Sequence, residues 1–129
     1  MKALKYISII LIVLFLTSCV QKKHKKTIHF KLDMNGVENP VNVGIKGDTY
    51  PLSWGKTLLL TDNNNDGVFE ISIELESASY DIEFKFVNQQ NNFELRDSDN
   101  RSIRFDYKPE TILYETVFNN PEAETSILK

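Results

Sequence analysis

Asp62-x-Asn64-x-Asp66-Gly67 is the stretch of this 129-residue chain that comes nearest to a ligand set. Oxygen donors at positions 1, 3 and 5, with glycine at 6 for the sharp turn, suit calcium. The twelfth position needs a bidentate glutamate and holds Ile73 instead. A polar turn without metal is therefore expected. The two histidines, His24 and His29, have no second ligand at metal spacing. Glu70, Glu74, Asp81 and Glu83 alternate with apolar residues, which puts them on outward strand faces. That is a solvated charge pattern, not a carboxylate pair facing across a cleft as glycoside hydrolysis needs. No nucleophile stands with a base, so the chain reads as non-catalytic, with no cofactor. Trp54, the single tryptophan, lies among Tyr50, Pro51, Ser53 and Gly55, a loop by composition. It could plug the core. Exposed, it could cover the apolar face of a pyranose ring while polar neighbours bond the hydroxyls.

The elements that must position these residues are strands. Phe69, Ile71, Ile73 and Leu75 share one face of a period-two run, and Tyr80, Ile82, Phe84 and Phe86 share one face of the next. With only a short polar break at 77–79, the two runs read as an antiparallel hairpin with Lys85 on its solvent face. Residues 27–33 alternate with Ile28, Phe30 and Leu32 inward, and residues 40–46 with Val41, Val43 and Ile45 inward. Further strands are expected at 56–61, at Phe93-Glu94-Leu95, at 101–107 and at 111–118. No folded segment has helical periodicity. The apolar faces must then be covered by a second sheet, giving an all-β, immunoglobulin-like antiparallel β-sandwich over residues 27–118. Residues 119–129 read as a disordered tail.

Lys2 and Lys5 precede an apolar run of eleven residues from Tyr6 to Leu16, too short for a permanent membrane span. It ends in Leu16-Thr17-Ser18-Cys19, which resembles the bacterial lipobox. That resemblance implies a lipoprotein signal peptide at 1–18, lipid attachment on Cys19 and a tether over 19–26. Val20 resembles outer-membrane sorting signals. The basic Gln-Lys-Lys-His-Lys-Lys run differs from the acidic surface-export signals of Bacteroidetes-type lipoproteins, so a periplasm-facing protein is expected. The chain has 15 Lys and Arg against 18 Asp and Glu, a net −3. Losing Lys2 and Lys5 takes this to −3 − 2 = −5. Such a balance gives no basic footprint for nucleic acid. The one cysteine excludes an internal disulfide.

Order and spacing add a resemblance. Pro51-Leu52-Ser53-Trp54, Leu58-Leu59-Leu60-Thr61, Asp66-Gly67-Val68-Phe69-Glu70, Ile82-Glu83-Phe84-Lys85-Phe86-Val87, Phe93-Glu94 and Asp99-Asn100-Arg101 run in series. The series is similar to the starch-binding domain, the family 20 carbohydrate-binding module, over about residues 27–118. The resemblance implies a non-catalytic module whose glucan site comprises Trp54, Lys85, Phe93, Glu94 and Asn100. It implies α-glucan as partner, with the membrane reached through the lipid. Phe93 stands where that family has a second tryptophan, and Ser53 where it has glycine. The alternative is a structural or interaction lipoprotein of the envelope, with a protein partner, that kept the fold and lost the sugar site.

Overall fold

The computed structural model describes residues 19–128; the expected signal peptide at 1–18 lies outside the described residues. Nine strands are described: β1 His24–Asp33, β2 Gly44–Gly47, β3 Leu58–Leu59, β4 Val68–Ser77, β5 Asp81–Asn88, β6 Asn92–Phe93, β7 Arg101–Arg104, β8 Glu110–Val117 and β9 Ala123–Ile127. They form two sheets, one ordered β4-β1-β8-β9 and the other β3-β2-β5-β6 with β7 also on β5. The sheets pack as a β-sandwich. All pairings are antiparallel except β1 with β8, which is parallel.

Alternation accounts for the strands. Ile28, Phe30 and Leu32 of β1 and Ile112 and Tyr114 of β8 point inward from one sheet, and Ile45, Ile82, Phe84 and Phe86 from the other. Phe30 and Phe84 meet edge to face at 5.1 Å, as do Phe84 and Tyr114, so an aromatic cluster bridges the layers.

The hairpin reading of β4 and β5 is corrected. Their apolar faces do point to one core, but β4 pairs with β1 and β5 with β2, β6 and β7. The short 78–80 connection crosses between the sheets, so the two apolar rows cover each other across the core instead of lying side by side. Tyr80 and Val41, expected inward, are exposed; both lie ahead of their strands, and Asn42 at φ 50° breaks the alternation between Val41 and the buried Val43.

Both ends of the described segment are more ordered than their composition suggests. The tether reading of Lys26 is corrected, since β1 begins at His24 and Lys26 is fully buried. Its ammonium donates to Glu110 Oε2 at 2.7 Å and to the Asp106 and Lys108 carbonyls at 2.6 and 2.5 Å. The supposedly frayed tail instead supplies β9, which pairs with β8 from Ile112–Ile127 to Thr116–Ala123.

Candidate functional site

β5 is the strand that builds the site. On one edge it pairs with β2; on the other it pairs with β6 at Val87 and Asn88 and with β7 from Asp81 to Phe84. Between those two partners the chain leaves the edge, over residues 94–100. This excursion is held from both sides. Outside, the Lys85 ammonium donates to the Leu95 and Ser98 carbonyls at 2.7 and 3.0 Å. Inside, the Glu94 carboxylate replaces the missing ladder by accepting from the Phe86 N–H at 3.1 Å. Phe93 and Asn100 consequently stand at the two ends of the excursion, flanking Lys85.

The tryptophan arrives from the loop between β2 and β3. Leu52 is the residue that plugs the core, 3% exposed, while Trp54 stays outside at 39%. Gly47 makes this seat possible: a Cβ there would lie 2.7 Å from the Glu83 carbonyl oxygen and 2.8 Å from Leu52 Cδ1. The Thr57 hydroxyl reaches the Gln90 carbonyl at 3.4 Å and so links this loop to the turn after β5.

Trp54, Lys85, Asn91, Phe93, Arg96 and Asn100 together line a shallow concavity of about 470 Å³. Four of the five residues expected from sequence meet there. Glu94 does not join them. It is fully buried, and its carboxylate accepts from Arg101 Nε at 2.5 Å, Arg101 Nη2 at 2.8 Å and the Asn119 N–H at 3.1 Å. Arg101 also donates to Thr116 Oγ1 at 3.0 Å and to the Asn120 carbonyl at 2.6 Å. Burial works against the guanidinium charge, but hydrogen bonding and attraction to Glu94 outweigh it and hold Arg101 above its ordinary pKa. The pair is a strut beneath the concavity, tying the 94–100 excursion to the end of β8.

The chain is similar in fold to two solved structures. One is the CBM25-2 of the beta/alpha-amylase from Paenibacillus polymyxa, with a TM-score of 0.48 and 15% identity, covering 85% of this chain and 97% of that one. The other is the CBM25-1 of the same enzyme, with a TM-score of 0.44 and 12% identity, covering 81% and 94%. No family model and no curated protein matches.

Asn91 and Arg96 are lining residues that sequence reasoning missed. Asn91 lies in the polar turn after β5, where Gln89 and Gln90 both take positive φ. Arg96 donates to Asn92 Oδ1 and is exposed. The run Asn88-Gln89-Gln90-Asn91-Asn92 marked a turn, but nothing in it marked a wall. Lys85, expected on a solvated face among acids, is 9% exposed because the excursion folds over it.

The calcium-like loop uses its oxygens internally. Asp62 accepts from the Asp66 and Gly67 N–H groups at 3.1 and 3.0 Å, and Asp66 Oδ1 from the Val68 N–H at 2.9 Å. Gly67 takes φ +82°, and a Cβ there would collide with Asn35 Oδ1 at 2.1 Å. The loop thus closes the turn into β4.

Proposed function

We propose that this protein is a non-catalytic, lipid-anchored carbohydrate-binding module that takes α-glucan chains at the Trp54–Phe93 concavity. The observation that carries the reading is the convergence of two partly exposed aromatic rings with the Lys85, Asn91, Arg96 and Asn100 side chains on one open surface. Rings cover the apolar faces of sugar units, and amides and cations bond the hydroxyls. An open concavity suits a segment within a longer chain. The lipid on Cys19 would hold the protein at the outer membrane, facing the periplasm; Cys19 is exposed and lies just ahead of β1.

Magnitude bounds the affinity. A platform burying ~150 Å² contributes at most ~4 kcal/mol at ~25 cal/mol per Å². Ordering and association costs of similar size oppose it. One site therefore binds no tighter than about the millimolar range, and many copies on a membrane gain by avidity. Titration with maltoheptaose, followed by Trp54 fluorescence and by the amide shifts of Phe93 and Asn100, tests the reading. Saturable shifts that vanish in Trp54→Ala are expected. No response at tens of millimolar overturns it. A stoichiometric envelope protein retained in excess glucan would then favour an interaction lipoprotein.

A further inference from the structure

Four buried cations of this protein fall into two groups, and one exposed cation, Arg96, joins the second. Lys26 and Arg101 carry their own counter-charge, Glu110 at 2.7 Å and Glu94 at 2.5 Å. The cations around the concavity do not. Lys85, 9% exposed, bonds only the Leu95 and Ser98 carbonyls. Lys46, 7% exposed, donates to Asn91 Oδ1 at 3.3 Å, with its ammonium 5.4 Å from the Phe93 ring centroid. Arg96 donates to the Asn92 amide oxygen. Among the described residues none of these three pairs with a carboxylate.

The lining of the concavity contains no acid, although acids outnumber bases along the chain by 18 to 15. Glu83, on β5, is turned to the Asn100 amide at 3.3 Å. A cation held away from water with only neutral acceptors is costly, and an anion brought by a ligand offsets that cost. The planar guanidinium of Arg96 matches a phosphate or carboxylate geometrically, while lysine ammoniums supply point charge. Three uncompensated cations suit a dianion better than a single negative charge, and a phosphate monoester carries about −1.5 to −2 at pH 7.

We propose that the ligand of this site is a phosphorylated α-glucan, whose phosphate monoester sits among Lys85, Arg96 and Lys46 while Trp54 and Phe93 hold the sugar rings. The inference rests on the glucan reading of the same concavity and adds its charge class.

The test compares three probes on the whole protein: maltoheptaose, maltoheptaose carrying one 6-phosphate, and inorganic phosphate. The phosphorylated chain is expected to bind at least about tenfold tighter than the neutral one, about 1.4 kcal/mol. That ratio should fall toward one in Arg96→Gln, whose exposed side chain keeps the fold out of question. It should also fall when sodium chloride is raised from ~0.05 to ~0.5 M, because screening weakens an exposed charge pair. Equal binding of the two oligosaccharides overturns the inference and leaves the glucan reading standing. Binding of neither overturns both. Inorganic phosphate binding as tightly as the phosphorylated chain also overturns it, since the rings would then contribute nothing. A preference unchanged in Arg96→Gln and insensitive to salt would place the phosphate elsewhere and overturn the assignment to these cations.

Discussion

Replacing Glu94 by Gln separates a ligand contact from a strut. In the folded protein its two oxygens accept four bonds, from the Phe86 and Asn119 N–H groups and from Arg101 Nε and Nη2. Glutamine keeps one acceptor oxygen and turns an NH₂ group toward two donors. Arg101 then stays buried beside a neutral partner. Removing one member of a buried ion pair costs about 3–5 kcal/mol. A domain of this size has about 5–15 kcal/mol in total, so the loss is a large share. At roughly 4–8 °C per kcal/mol the melting temperature should fall by ~12–40 °C. Urea unfolding of Glu94→Gln, Arg101→Met and the double variant would read this. The double variant should lose clearly less than the sum of the two singles, because the pair is coupled. Maltoheptaose titration of each variant, at a temperature where it is still folded, gives the second readout. A loss of stability under ~1 kcal/mol together with abolished sugar binding would refute the strut and make Glu94 a direct contact.

Three further outcomes are expected. The Val68 N–H, opposed by slight burial and helped by Asn64 and Asp62, holds the Asp66 carboxyl below its ordinary value. Its stabilisation is thus present above the unfolded value of about 3.9 and is lost as pH falls through the lower folded value. Asp66→Asn should flatten the acid limb of melting temperature against pH, and an unchanged limb refutes this. Because Asp62, Asn64 and Asp66 bond their own turn, melting with calcium and with chelator should agree within ~1 °C; a shift of many degrees would restore a metal role. If Cys19 carries the lipid as proposed, Cys19→Ser should abolish acyl labelling and shift the protein out of the membrane fraction without changing its melting temperature. Unchanged fractionation would mean that the chain is held by other means.

The period of two announced which side chains of β1, β4 and β5 face a core: Ile28, Phe30, Leu32, Ile73, Leu75, Ile82, Phe84 and Phe86 are buried, and Phe69 and Ile71 are partly so. It could not announce partners. The same alternation serves a hairpin, with both rows on one sheet, and a crossing between sheets, with the rows facing each other. Only the three-residue connection at 78–80 separated these, and its length suits either. Charge was the harder problem, because local composition does not report a remote partner. Lys26 stands in a basic run that looks solvated, and its burial is decided by Glu110, distant in sequence. Glu94 follows an aromatic residue as a ligand acid would, yet Arg101 and the end of β8 enclose it. Trp54 could be placed in a loop but not inside or outside, since that choice depends on Leu52 fitting against Gly47. For Glu94 one physical event decides the outcome. Where β5 loses its edge partner between Phe93 and Arg101, the freed backbone needs new bonds. Glu94 supplies them on the core side and Lys85 on the outer side. The residues at that break, Phe93, Arg96 and Asn100, line the concavity where we propose that the glucan binds.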